Sequence, residues 1–541
     1  MKSFSSANSQ KDEVIIKKEY ESPTESESSA GWDFVVITAS NEAQAASYSK
    51  QIRYRIEKGL VQKNVRYEIV PDYQGKRAGS GGATFNVLWH IRESLNEDDC
   101  FSNMRILVIH SGGESIRIPQ YSVCGKLFAP VQRELSKGIS ATLFDEILNS
   151  VKDLPSRCPA GMLTIAGDIL LIFDPNEIDL KDCDAAAISA CENIDTGSNH
   201  GVFIPNNEGN VKRFLHKFTS EELRKAGAQS KEGYIRIDTG AVWLASETVN
   251  TLYKVIANDK KIDLDKFEKF VNENERLSFY ADLVYPFATD STLEHFIKEK
   301  SEGNHTKQLE LCRKTLFKSL HGYKMKLIEL SKSTFIHFGS TAEFLELTTA
   351  GIKKYPLLSW ESVTSSRVEI LGNFTVNCSY IDRRSVVGEG SYIEKSRICN
   401  SKIGNKSIVS NISLECAEIP DKTVIHCLKQ NDGDYVVRVY GVIDNPKKNI
   451  DEGGTFLGIP LRSFLKRLSL TDNDLWDNEP HDLWNAKLFY KSASFQKSLN
   501  YALSLCNASE MIIKDILRVS LRQSFENADV NYISFTVAEK N

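Results

Sequence analysis

An α/β layer fold followed by a parallel β-helix is what this sequence predicts, and three observations carry that reading. Short β-branched runs recur at 34–39, 106–110 and 162–166, the pattern of buried parallel strands. Between the first two, Phe85, Leu88, Ile91 and Leu95 recur at helical spacing behind a cluster of glycines, so strand, glycine turn and helix follow one another. From Val368 onward, Ile370, Val376, Ile381, Val387, Ile393, Ile398, Ile403 and Ile408 return at intervals of five or six residues, with Gly, Asn or Ser between them. That is a hexapeptide pattern, in which each coil of a parallel β-helix buries one aliphatic residue per flat face and Gly or Asn supplies the corner.

Taken in order, residues 1–31 are rich in Ser, Glu and Lys with few large apolar side chains, a composition that cannot offset the entropy of ordering, and they are predicted as a disordered tail. Residues 32–330 form the α/β domain: order begins at Trp32, a helix is expected over 83–95, and further strands over 201–204 and 235–244. Residues 331–430 form the hexapeptide-repeat domain, and 431–541 a mixed segment ending in helices. A chain of 541 residues is long enough for such a division. Its apolar and charged fractions, 41% and 26%, are those of a globular protein, and a net charge of -5 gives no electrostatic reason to bind nucleic acid. The 11 cysteines show neither a C-x-x-C pair nor a Cys/His spacing suited to zinc, which argues for reduced thiols. With no apolar stretch long enough for a signal peptide or a membrane span, the expected location is the cytoplasm.

The most informative stretch follows the second strand: Ser111-Gly112-Gly113-Glu114-Ser115-Ile116-Arg117-Ile118-Pro119, then Gly125-Lys126-Leu127-Phe128-Ala129-Pro130. Adjacent glycines let backbone N–H groups approach a phosphate without a Cβ in the way. Arg117 offers forked donors to phosphate oxygens, and Lys126 a compact charge to a second phosphate. Upstream, Gly79-Ser80-Gly81-Gly82-Ala83-Thr84 opens a helix, so its N–H groups and positive dipole end suit a phosphate or the edge of a base. Asp168 ends the third strand, where a carboxylate projects over the crevice at the carboxyl edge of a sheet. The Gly-x-x-x-x-Gly-Lys-Ser/Thr loop of kinases is missing, and no Ser/His/Asp order or metal spacing distinguishes His110, His200, His216 or His337.

These motifs resemble those of sugar nucleotidyltransferases, which carry Gly-Gly-x-Gly-Thr-Arg after a strand. More closely, His110 to Pro119 and Gly125-Lys126 resemble the fucose-1-phosphate guanylyltransferase family, in the form that stands alone without a fucokinase half. The resemblance continues through 32–39, 79–84, 200–203, 213–217, 338–345, 440–445 and 483–486. One departure from the general pattern is that Glu114-Ser115 replaces the second Gly of Gly-x-Gly-Thr. The resemblance implies a Rossmann-like, GT-A-type domain and a left-handed β-helix. It also implies transfer of the GMP moiety of GTP to L-fucose 1-phosphate, giving GDP-L-fucose and pyrophosphate, with Mg2+ as cofactor. By resemblance, Arg117, Lys126 and Asp168 are catalytic, with Asp168 on the metal. Gly79, Ser80, Gly81, Gly82, Thr84, Gly112, Gly113 and Ser115 bind the nucleotide, and Lys217, Asp238, Thr239 and Gly240 the sugar phosphate. A hard cation usually takes a second carboxylate, for which Asp238 and Asp282 are the candidates, and spacing does not separate them. The same residues also fit another sugar 1-phosphate, or a nucleotide-sugar sensor without turnover. The expected partners are GTP and a sugar 1-phosphate, and the β-helix offers a surface for a homodimer.

Overall fold

The computed structural model describes residues 31–95, 101–216, 218–259, 261–507 and 516–535. Residues 1–30 of the tail expected at 1–31, and Lys217, lie outside them. Contacts divide the described residues into two compact units that do not follow chain order: one takes in those up to Gly112 together with Glu146–Ile336, the other Gly113–Asp145 together with those from His337 on.

The first unit is built on one mixed sheet. Strands β1 (Phe34–Ala39), β2 (Arg66–Pro71), β3 (Arg105–His110) and β4 (Gly161–Ala166) pair in parallel in the order β2-β1-β3-β4. β1 and β4 are buried along almost their whole length, as their unbroken apolar sequences require. Helix α1 (Glu42–Lys58) connects β1 to β2, capped by the Asn41 side chain and ended by Gly59 at φ 71°. Helix α2 (Gly79–Glu93) precedes β3 and buries Phe85, Leu88 and Ile91 in the core. It begins four residues before the expected Ala83, because the glycines belong to its first turn rather than to a preceding loop.

Beyond β4 the sheet turns antiparallel. β5 (Ala185–Glu192), β6 (Gly201–Pro205), β7 (Val211–His216) and β8 (Ile235–Ala245) extend it in the order β4-β8-β6-β7. β8 pairs with β5 along its other side, and β9 (Met325–Leu330) pairs with β5 in parallel. The register of β8 slips between Asp238 and Ala241, which places a bulge at Thr239–Gly240 with Gly240 at φ 72°. Because Val242 pairs with Thr164, this bulge lies level with Ala166, at the carboxyl edge of the parallel strands.

In the second unit, residues 363–429 form three parallel ladders to which each turn of chain contributes one short strand. Val376, Ile393, Val409 and Ile425 stand side by side in one ladder; Ile381, Ile398 and Leu414 in the next; Val387, Ile403 and Ile419 in the third. Of the eight aliphatic residues named from the sequence, Ile370 and Val387 are half-buried and the others buried. Buried serines link successive turns: the hydroxyls of Ser391 and Ser407 each accept from a backbone N–H 16 residues further on, as do those of Ser385 and Ser401. The first ladder continues through Tyr435–Gly441, antiparallel to Thr423–Lys429, onto which the helix Phe495–Asn507 packs.

Candidate active site

In the first unit, the ends of β3 and β4 and the bulge of β8 bring together several of the residues singled out above. Gly167 sits so close to the His110 carbonyl that a Cβ would stand 3.0 Å from that oxygen, and its own N–H donates to it. This tight turn carries Asp168, half-buried, out of β4. The buried Asp238 carboxylate accepts the Gly240 N–H at 2.9 Å across the bulge, and burial pushes its pKa up to about 6 against the pull of that N–H. Thr239 Oγ1 donates to the Ile188 carbonyl at 2.6 Å, and the Tyr280 hydroxyl donates to the Gly240 carbonyl at 3.0 Å. Burial, then the Asp238 and Asp168 carboxylates, hold the Tyr280 phenol well above its ordinary pKa, so both acids stand in the field of one hydroxyl.

His110 lies beside them, edge-on to Tyr280 and Phe279 at centroid distances of 6.5 and 5.4 Å. Thr84 Oγ1 gives its proton to the Ser80 carbonyl at 2.9 Å, so the 3.0 Å contact between Thr84 and His110 Nε2 requires the imidazole to donate. Nδ1 is left as a buried bare nitrogen without a hydrogen-bond partner among the described residues, and burial pushes the imidazole pKa down to about 4. The ring is therefore neutral at ordinary pH.

The glycines before Thr84 have packing reasons of their own. A Cβ on Gly79 would meet the Leu277 carbonyl oxygen at 2.4 Å and one on Gly81 at 2.9 Å, while the Gly81 N–H already donates to that oxygen at 2.7 Å. Ser80 Oγ accepts the Phe279 N–H at 2.8 Å. Asp282 is the clearest departure from the chemistry expected of it. One oxygen accepts Arg313 Nε at 2.8 Å and the other the Ser278 N–H at 2.7 Å, with both side chains of the ion pair essentially unexposed. Each of its oxygens is engaged in holding a turn, and spacing alone hid this because Arg313 is 31 residues away.

The second unit holds Gly113, Ser115, Arg117 and Lys126. Gly113 is exposed, and a Cβ placed on it would meet nothing within 4 Å, so no packing demands a glycine there. Ser115 occupies the left-handed region at φ 54°, keeping a glycine-like backbone where the general motif has Gly, and its buried Oγ accepts the Lys126 N–H at 3.2 Å. Arg117 is exposed, and its carbonyl accepts from both the N–H and the hydroxyl of Thr341 at 3.1 Å. Lys126 Nζ reaches the Gly339 carbonyl at 3.4 Å. The loop between them is anchored from below: Tyr440 bonds Gln120, Tyr121 donates to Glu394 at 2.7 Å, and the fully buried Arg438 donates to the Pro119 carbonyl at 2.8 Å. His426, kept neutral by burial, accepts Arg438 Nε at 3.0 Å. The segments 338–345 and 440–445, which carry part of the resemblance, thus contribute Gly339, Thr341 and Tyr440 to the holding of this loop.

Magnesium suits the oxygen donors present. Among the described residues no three His, Cys, Asp or Glu side chains cluster as a ready-made cage. Mg2+ ordinarily binds through one or two carboxylates plus substrate phosphates, which half-buried Asp168 can serve. No helix among the described residues is long and apolar enough to cross a membrane.

Residues 98–492 match the fucose pyrophosphorylase domain, and the chain belongs to that family. It is 25% identical over 526 residues to the human fucose-1-phosphate guanylyltransferase, covering 88% of this chain and 84% of the relative. It is 26% identical to the mouse protein of the same name, covering 92% and 91%. With the bifunctional fucokinase/GDP-fucose pyrophosphorylase of Arabidopsis thaliana it shares 27% identity, over 85% of this chain and 46% of that one.

Proposed function

We propose that the protein joins L-fucose 1-phosphate to the guanylyl group of GTP, releasing pyrophosphate and GDP-L-fucose. The observation that carries this reading is the grouping of Asp168, Asp238 and Tyr280 at the carboxyl edge of the parallel strands in a chain of the fucose pyrophosphorylase family. The names of the human and mouse relatives support the substrate pair. The open mixed sheet supports a GT-A-type domain, and turns of 16 or 17 residues in three ladders support a β-helix, whose left hand follows from the resemblance.

On this reading an oxygen of the sugar phosphate attacks the α-phosphorus of GTP in line, and the bond from that phosphorus to the bridging oxygen of the β-phosphate breaks. Pyrophosphate leaves with the electron pair. The nucleophile is already an anion, so no side chain has to remove a proton. Arg117 and Lys126 bind phosphate oxygens and hold the charge that develops on them. Asp168 holds Mg2+, which when bound neutralises the triphosphate. Asp282, buried in its ion pair with Arg313 and with an N–H on each oxygen, is the poorer second ligand; Asp238 and Thr239 take the sugar side, where the bulge N–H occupies one Asp238 oxygen. Lys217 keeps its expected place near the sugar phosphate by resemblance alone.

The test is pyrophosphate release by the purified protein across GTP, ATP, CTP and UTP, each with a panel of sugar 1-phosphates. The highest kcat/KM is expected for GTP with L-fucose 1-phosphate. A different best pair would reassign the substrate, and no release with any pair would overturn the reading in favour of a sensor.

A further inference from the structure

Asp282 and Tyr280 share an unusual element. Residues Phe279–Val284 form a π-helical turn, a form that is rare and concentrated at functional sites. Arg313 clamps this turn from below: besides Asp282, it donates to the carbonyls of Phe296, Ile297 and Glu299 at 3.0, 3.2 and 2.7 Å, so the guanidinium is fixed on several sides. Asp282 in turn holds the Ser278 N–H, and Ser278 Oγ accepts the Ala281 N–H at 3.3 Å. The residue presented by the turn is Tyr280, whose hydroxyl ends on the Gly240 carbonyl. The N–H of that same Gly240 ends on Asp238. A wider turn at 279–284 and a β-bulge at 239–240 whose glycine stands at φ 72° are two departures from regular structure that meet at one hydrogen bond.

We infer that Tyr280 is a positioning residue for the sugar side of the site: the chain Arg313–Asp282–Tyr280–Gly240–Asp238 fixes the bulge and so aims the Asp238 carboxylate at a hydroxyl of the sugar 1-phosphate. This rests on the functional reading above for what Asp238 binds, and not for the connections themselves. Besides the tyrosine bond, the Thr239 hydroxyl on the Ile188 carbonyl ties the other residue of the bulge to β5, so Gly240 itself is held from outside β8 by Tyr280. Across Thr239 and Gly240 the ladder to β5 is interrupted, and a small apolar cavity of roughly 20 Å³, lined by Ile165, Ile169, Thr239 and Ala241 among others, lies against it. Such a void gives the bulge room to relax once the tyrosine bond is removed.

Tyr280→Phe keeps the ring packed on His110 and Phe279 and deletes only the hydroxyl. Two measurements decide the matter. Hydrogen exchange of the peptide covering 237–242 should quicken by about tenfold in the variant while peptides from β1 and β3 are unchanged. The KM for L-fucose 1-phosphate should rise by about fivefold or more, with the KM for GTP and the magnesium requirement altered less than about twofold. Unchanged exchange at 237–242, or a rise in both KM values together, would overturn the inference. Should the wild type release no pyrophosphate from GTP and L-fucose 1-phosphate, the functional reading fails by itself, and the exchange result alone decides whether Tyr280 holds the bulge.

Discussion

Asp168 and Asp282 look alike in the sequence, each a carboxylate beside apolar residues, but the fold places them in different surroundings. Asp168 leaves the end of a buried strand half-exposed, whereas Asp282 has both oxygens occupied, one of them in a buried ion pair. Asp282→Asn is therefore expected to leave Arg313 buried without its counter-charge and to cost about 3–5 kcal/mol of stability, read by urea denaturation. Asp168→Asn should keep its stability, lose activity steeply, and recover part of it at raised Mg2+ or with Mn2+. A stable Asp282→Asn with an altered metal requirement would exchange the two roles. His110 gives a separate expectation. Its folded pKa is lowered from 6.5 to about 4, so between those values the unfolded chain binds a proton that the folded chain refuses. The stability it contributes is fully present above pH 6.5 and is lost as pH falls toward 4, by up to about 3 kcal/mol. His110→Gln should flatten the pH dependence of Tm over that window, and an unchanged slope would mean that the imidazole already titrates normally.

The strands were readable because a buried parallel strand needs a run of β-branched and aliphatic residues; β1, β3 and β4 stand within a residue of where 34–39, 106–110 and 162–166 placed them. What the sequence could not show is what depends on a partner far along the chain. The bulge in β8 exists only relative to Ser189 and Ile188 on β5, and the early start of α2 follows from the fit of its glycines against Leu277. Two glycine clusters that look equivalent in the sequence separate here. Gly79→Ala forces a Cβ to 2.4 Å from a carbonyl oxygen at φ 76° and should cost about 1–3 kcal/mol. Gly113→Ala meets nothing and should leave Tm unchanged while lowering kcat/KM, if the phosphate passes close to that backbone. A Gly113→Ala variant of full activity would remove this residue from the nucleotide site. The corner serines at 385, 391, 401 and 407 were visible in the repeat only as small residues, because their hydroxyl acceptor role needs the next turn in place.

The division of the chain into two units also divides the proposed chemistry: the cations Arg117 and Lys126 belong to the unit with the parallel ladders, and the carboxylates Asp168 and Asp238 to the unit with the mixed sheet. Resemblance along the chain named all four, but contiguous domain boundaries could not reveal that Gly113–Asp145 packs with residues 273 to 320 positions later, through Glu394, Arg438 and Tyr440. Arg117→Ala and Lys126→Ala are each expected to lower kcat at least about a hundredfold without loss of Tm, since on the proposed function each removes a charge that the transition state uses more than the ground state. The most direct measurement starts with L-fucose 1-phosphate carrying ¹⁸O in its phosphate, reacted with unlabelled GTP and read by mass spectrometry. Attack of the sugar phosphate on the α-phosphorus keeps all the label in GDP-L-fucose and leaves pyrophosphate unlabelled. Label in pyrophosphate, or turnover of GTP without a labelled sugar nucleotide, would contradict the account.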